Sequence, residues 1–254
     1  MLPWVVIDQA LTPDGTTLVL ARRGDEWVVS AGGHTLMSSR MHGSEEALAH
    51  LAFDRAASAP GGLGAQPRSG VSPQGPSAGI HFRREPPRVL LSGLGLGYSL
   101  RAALDRLPAS GLVTVAELAP AVVEWNRTHV ASLARRPLDD ARVRVHIGDV
   151  LGAIRRAAAE WDLILLDVDN GPSAIAQSSN AGLYDAAGVR SCRRALRAGG
   201  VLAVWSAGPD EGYLRRLREG GFDASAQPVL ARRGGRKKHV VFVAATQEGE
   251  IQRR

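Results

Sequence analysis

Cysteine is almost absent from this 254-residue chain. Cys192 stands alone, so no disulfide can form within the chain and no cysteine cage for a metal is available. Lysine is nearly as scarce, with Lys237 and Lys238 its only occurrences, and aromatic residues make up 5% of the chain. No uncharged apolar stretch reaches the roughly 20 residues that a membrane-spanning helix needs, so no membrane partner is expected. The opening Met-Leu-Pro-Trp-Val-Val-Ile-Asp lacks a basic n-region and meets Asp8 early, which argues against a secretory signal and for a cytoplasmic location. What the chain does have is 44% hydrophobic residues, ample for a sizeable core. It also has 31 basic against 25 acidic residues, a net charge of +6. Nearly all of that positive charge is arginine scattered through helical stretches, and no nucleic-acid partner is expected. The one dense cluster, Arg232-Arg233-Gly234-Gly235-Arg236-Lys237-Lys238-His239, reads as a solvated hairpin loop, with a phosphate-binding loop as the alternative.

The chain divides at one seam. From Pro60 to Gly79, 13 of 20 residues are Gly, Pro or Ser without apolar periodicity, the pattern of a linker or disordered loop. Three domains of organisation follow: residues 1–59, the linker 60–79, and residues 80–254. In the first, β-rich runs at Trp4–Ile7, Thr17–Ala21 and Trp27–Ser30 alternate with Asp14-Gly15 and Gly24-Asp25 turn signals. Ser44 then reads as an N-cap for a helix over Glu45 to Ser58, with Leu48, Leu51 and Ala52 on one face. This is a small β-hairpin element followed by a helix.

After the linker, strand and helix alternate. Apolar strands are expected at Val89–Ser92, Leu112–Ala116, Val143–Ile147, Leu163–Leu166 and Val201–Trp205. Helices are expected at Ser99–Leu107, Pro120–Ala134, Val150–Glu160, Asp185–Arg197 and Asp210–Glu219. Two last strands, Ala224–Leu230 and His239–Ala244, close the chain as an antiparallel hairpin. Near-continuous apolar strands separated by amphipathic helices imply a sheet covered on both faces. The expected fold class is α/β, a doubly wound, mostly parallel, seven-stranded Rossmann-like sheet.

In such a sheet, ligands sit beyond the carboxyl ends of the strands near the switch in strand order. The first of the parallel strands runs into Ser92-Gly93-Leu94-Gly95-Leu96-Gly97-Tyr98-Ser99, where Gly93, Gly95 and Gly97 permit tight turning and close approach to a ligand. Glycine also serves ordinary turns, so position matters: the loop lies between a buried strand and a helix. The next strand ends in Glu117, where a carboxylate can accept from two ribose hydroxyls. Asp149 follows the third strand and can face a ligand or simply cap the next helix. The fourth strand ends in Asp167-Val168-Asp169-Asn170-Gly171-Pro172, a polar cluster suited to ligand contact or to an Asx turn. Strand, glycine loop and acid together point to a nucleoside-binding site.

These residues resemble a family. From Arg88 to Pro209 the chain is similar to the catalytic domain of the spermidine synthase-like (polyamine aminopropyltransferase) group, a branch of the class I S-adenosylmethionine-dependent methyltransferase fold. The hairpin-plus-helix segment is similar to that group's N-terminal β-domain. The most specific stretch is Trp161-Asp162-Leu163-Ile164-Leu165-Leu166-Asp167-Val168-Asp169-Asn170-Gly171-Pro172, supported by Leu183-Tyr184 and by Ala195-Leu196-Arg197-Ala198-Gly199-Gly200-Val201-Leu202. The resemblance implies that Gly93, Gly95 and Gly97 line the methionine-like part of the cofactor, that Glu117 holds its ribose and that Asp149 holds its adenine. It implies Asp167 as the catalytic carboxylate that receives the attacking amine's proton. Glu46, Asp169, Asn170 and Tyr184 become the substrate-binding candidates. It further implies a homodimer as a possible assembly, with the N-terminal strands pairing across subunits.

The departures bear on chemistry. The family carries an acid inside the glycine loop where this chain has Leu96, a substitution that favours intact S-adenosylmethionine over the decarboxylated form. Asn170 replaces a family aspartate, Thr35 a glutamine and Ser44 a tyrosine, while Glu46 keeps the acidic position. The expected function is a transferase using an S-adenosylmethionine-type cofactor on a small amine or similar nucleophile. Methyl or other alkyl transfer, or cyclisation, from intact S-adenosylmethionine is favoured over putrescine aminopropylation. A true polyamine aminopropyltransferase using decarboxylated S-adenosylmethionine is the alternative, and a non-catalytic adenosyl-binding or interaction module the second. No metal is expected: His42, Glu46 and His50 share a helical spacing, but His42 precedes the cap. A G-x-S-x-G nucleophile elbow is missing, which leaves a serine hydrolase without support. Trp125 and Trp205 are expected in the core.

Overall fold

The computed structural model describes residues 2–12, 15–58, 85–167, 181–232 and 234–246. The chain opens with β1 (Val5–Leu11), β2 (Thr17–Arg23), β3 (Glu26–Ala31) and β4 (His34–Ser38), which pair in that order as an antiparallel meander. The short polar β4 adds a fourth strand to the three expected here. Gly32 and Gly33, both with positive φ, make the two-residue turn that places Ala31 opposite His34. α1 (Gly43–Ser58) follows the small sheet in sequence but packs on the large one, burying Leu48, Ala49, Ala52, Phe53 and Ala56.

The second part runs β5 (Arg88–Ser92), α2 (Tyr98–Arg106), β6 (Leu112–Glu117), α3 (Pro120–Arg127), β7 (Val143–Ile147), α4 (Val150–Arg156) and β8 (Trp161–Leu166). It continues with α5 (Ala181–Tyr184), α6 (Ala186–Ala195), β9 (Leu196–Ser206), α7 (Glu211–Glu219), β10 (Phe222–Leu230) and β11 (Lys238–Thr246). The seven strands lie in the order β10-β11-β9-β8-β5-β6-β7. β5 to β9 are mutually parallel and β11 is antiparallel to both its neighbours. The switch in strand order falls between β5 and β8.

Strand side chains alternate between two cores, as the period of two demands. Leu91, Val115, Leu165 and Ala203 face α1, α2 and α3. Leu90, Ile164, Leu202 and Phe242 face α4, α6 and α7. α3 is shorter than the expected Pro120–Ala134: it ends at Thr128, whose φ of −117° and ψ of −86° leave the helical region. The two sheets are tied by the Trp125 indole, whose Nε1–H donates to Asp8 Oδ2 of β1 at 2.7 Å. Among the described residues no helix is long and apolar enough to cross a membrane.

Candidate active site

A cavity of about 700 Å³ opens beyond the carboxyl ends of β5, β6 and β8, with β4 across its other side. Its size suits a nucleoside-sized ligand together with a small second molecule. The floor is the glycine loop. Gly93 (φ 78°), Gly95 (φ 55°) and Gly97 (φ 84°) all take the left-handed conformation. A Cβ on Gly93 would run into the backbone carbonyl oxygen of Asp167, because the loop crosses the end of β8 there. Gly93 and Gly95 line the cavity, and Gly95 faces Met37 of β4, whose sulfur would lie 3.5 Å from an added Cβ. Gly97 is different: it caps α2 and packs toward Asn126 and Pro137, away from the cavity.

Glu117 at the end of β6 is 8% exposed. Leu94 N–H donates to its Oε2 and Ala119 N–H to its Oε1, each at 2.8 Å, so this carboxylate anchors the glycine loop to the start of α3. Asp149 lines the cavity while capping α4, accepting from Leu151 N–H at 3.0 Å and Gly152 N–H at 3.2 Å. The ligand and cap readings of Asp149 are thus compatible. Asp167 lines the cavity at the end of β8 and its Oδ2 accepts from Ser99 Oγ at 2.8 Å. Ser99 sits in the first turn of α2, directly after the glycine loop.

The other expected site residues are placed differently. Tyr184 does not reach the cavity: it is fully buried in the opposite core, its ring edge-on to Tyr213 at 5.7 Å. The physical reason is that α5 and α6 cover the far face of the sheet. Glu46 turns to His42, whose Nδ1 lies 3.0 Å from its Oε1, and the His42 ring stacks on Tyr98 at 3.9 Å. Asp169 and Asn170 lie outside the described residues. Among the described residues no group of three His, Cys, Asp or Glu side chains is placed to hold a metal.

The acid that α1 sends into the cavity is Glu45. Its Oε2 accepts from Ser44 Oγ at 2.7 Å, and Ser44 Oγ lies 2.9 Å from Nδ1 of the buried His239 on β11. Burial, then the neighbouring Asp167 charge, pushes the Glu45 carboxyl up to about 7 against the opposing pull of the Ser44 bond. Burial, helped by the Glu46 and Glu45 charges, pushes the Tyr98 phenol up to about 12. Burial, with the charge of Lys237, lowers His239. Trp205 also lines the cavity instead of packing wholly in the core, its ring edge-on to His239 at 4.7 Å. The sequence carries a signal for Glu45: it precedes Leu48, Ala49 and Ala52 by three, four and seven positions, continuing the buried stripe of α1. No comparable signal marks Ser99, His239 or Trp205.

The chain is similar to known proteins. A family model described as the spermine/spermidine synthase domain matches residues 78–210. Over 122 residues the chain is 32% identical to a polyamine aminopropyltransferase of Nitrosomonas europaea, covering 47% of this chain and 35% of that protein. Over 124 residues it is 32% identical to a polyamine aminopropyltransferase of Prochlorococcus marinus, covering 48% and 41% respectively. The matched segment thus spans less than half the length of either relative. Among solved structures, a spermidine synthase in complex with the transition state analogue AdoDATO aligns with a TM-score of 0.71 at 18% identity, covering 97% of this chain and 75% of that one. A spermidine synthase from Thermotoga maritima aligns with a TM-score of 0.67, also at 18% identity, covering 97% and 74%. These structural likenesses establish a common fold.

Proposed function

The chain belongs to the spermine/spermidine synthase family, and from that premise we propose that it transfers an aminopropyl group from decarboxylated S-adenosylmethionine to a cationic amine. The observation that carries this reading is the charge of the cavity. Glu45, Glu117, Asp149 and Asp167 line it, and among the described lining residues there is no lysine or arginine, only His34. The carboxylate of intact S-adenosylmethionine would enter a space whose charged side chains are mostly negative. Two like charges at 4 Å repel by about 4 kcal/mol at the effective dielectric of a partly buried site. Removing that carboxylate leaves a sulfonium and an ammonium, both of which the acids attract.

This reading departs from the expectation drawn from Leu96. Leu96 touches the cavity but is only 5% exposed and packs into the core beneath the loop. Negative charge missing from that loop position is supplied by Glu45 of α1, so one loop residue does not set the selectivity. The relatives named as polyamine aminopropyltransferases support the same choice.

The donor supplies an electrophilic carbon bonded to positive sulfur. The chain binds and orients: Glu117 accepts the ribose hydroxyls, Asp149 the adenine amino group, and Gly93 and Gly95 admit the aliphatic arm. β4 covers the loop and limits water. Asp167, held by Ser99, orients the attacking nitrogen so that its lone pair points along the carbon–sulfur axis. A homodimer would use β1, the edge strand of the small sheet, with exposed Val5, Val6 and Leu11.

The test is mass spectrometry of products after incubation with each form of the donor and a panel of aliphatic di- and polyamines. Methylthioadenosine and an amine heavier by one aminopropyl group are expected with the decarboxylated donor. S-adenosylhomocysteine and a methylated amine from the intact donor would overturn the proposal.

A further inference from the structure

The geometry points to Glu45 as the group that takes the proton from the attacking nitrogen, with Ser44 and His239 as its positioning residues and Asp167 as the partner that holds the nitrogen. This inference rests on the amine-transfer reading above and assigns it a base. Glu45 and Asp167 line the same cavity from different elements, one from the first turn of α1 and one from the end of β8. Trp205 and Tyr98 line the same cavity.

The hydrogen-bond chain behind Glu45 is constrained by proton count. Ser44 Oγ carries one hydrogen, and it goes to Glu45 Oε2 at 2.7 Å. The 2.9 Å contact with His239 therefore needs the proton on His239 Nδ1, donating to Ser44 Oγ. Burial holds His239 toward its neutral form, so the imidazole is a single-proton donor with fixed orientation. The groups facing Glu45 are then Asp167 from β8, Glu46 on its own helix, Tyr98 from α2, and His239 beyond Ser44 with Lys237 behind it. Two of these are carboxylates and raise its proton affinity.

That raised affinity matters chemically. An amine near neutral pH arrives protonated and has no lone pair to attack with. An ordinary carboxylate is too weak a base to remove the proton efficiently, whereas one near neutrality is matched to the task. In the balanced step, one N–H proton passes to Glu45, the freed nitrogen pair forms the new carbon–nitrogen bond, and the carbon–sulfur pair leaves with sulfur as a neutral thioether. Asp167, held by Ser99, keeps the nitrogen in line with the departing sulfur. Glu46, one residue on, is tied to His42 and acts on Glu45 only through its charge.

The experiment compares wild type with Glu45→Gln, Glu45→Asp and Ser44→Ala, reading kcat and kcat/KM against pH with the donor that the wild type uses. Methylthioadenosine affinity by calorimetry checks that each variant folds and holds its adenosyl site. Glu45→Gln is expected to lower kcat by about 10²–10⁴-fold and to abolish the acid limb near neutrality, with methylthioadenosine affinity within about twofold. Glu45→Asp should restore part of kcat. Ser44→Ala removes the bond that lowers the Glu45 carboxyl, so its acid limb should move to higher pH. An unchanged limb in Glu45→Gln, or a fall in rate matched by loss of methylthioadenosine binding in every variant, would overturn the assignment. The wild-type products report separately on the donor, so a methylated amine would sink the aminopropyl reading while leaving the Glu45 profile to stand or fall alone.

Discussion

Replacing Glu117 with glutamine tests how the floor of the cavity is held. The carboxylate is 8% exposed and each oxygen accepts one backbone N–H at 2.8 Å, from Leu94 in the glycine loop and Ala119 at the start of α3. A glutamine has one acceptor oxygen and one NH₂, so whichever way the amide turns, one of those N–H groups faces a donor. The variant therefore loses one charge-assisted bond and leaves a buried N–H unpaired, a cost of about 1.5–3 kcal/mol. Urea unfolding should show a lower midpoint with an unchanged slope, since the surface exposed on unfolding is the same. The loop is also the ligand's floor, so methylthioadenosine affinity should fall by about tenfold or more, equivalent to about 1.4 kcal/mol. A Glu117→Gln protein with both the wild-type midpoint and the wild-type affinity would refute the claim that this carboxylate anchors the loop.

Gly93→Ala should destabilise the protein by about 1–3 kcal/mol, because the new Cβ meets the Asp167 carbonyl at a φ of 78°. Equilibrium unfolding reads it, and a neutral effect would mean that the loop can move off β8. Asp140 is held down to about 2, chiefly by its bond from Arg142. Its folded value lies below its unfolded one, so its stabilisation is present above about pH 4 and lost as pH falls toward 2. Asp140→Asn should flatten that part of the stability–pH curve in urea titrations, and an unaltered curve would count against the ion pair. Glu45 has the opposite sign: its folded value lies above its unfolded one, so wild-type stability should fall as pH rises from about 4.5 to about 7. Glu45→Gln should relieve up to about 3 kcal/mol of that loss at pH 8 and little at pH 4, and equal melting shifts at both pH values would contradict it.

The fold was largely legible because its signals are local. Apolar runs such as Leu163–Leu166 appear where β8 runs, and Gly93, Glu117, Asp149 and Asp167 stand at strand ends where a parallel sheet presents ligands. β4 was not legible: His-Thr-Leu-Met-Ser has little β character and is a strand because β3 pairs with it. The end of α3 was equally hidden, since no glycine or proline stands at Thr128.

At the site, the chain's residue types marked the cavity's β-sheet side but not which acid from the N-terminal part would enter it. Glu45 and Glu46 are adjacent in sequence and about 100° apart on the helix. Their roles separate only when α1 docks on β9 and β11, turning Glu45 inward beside Ser44 and His239 and leaving Glu46 to His42. Tyr184 and Trp205 divide in the same way, one taken into the far core by α5 and the other brought to the cavity at the end of β9. Periodicity, turn glycines and strand-end acids depend on neighbours in sequence, so the sequence by itself determined the α/β architecture and the strand-end acids Glu117, Asp149 and Asp167 that line the cavity. Charge balance and proton affinity in the cavity depend on groups as far apart in sequence as Glu45, Asp167 and His239, so only the tertiary structure decided which carboxylate is pushed up toward neutrality.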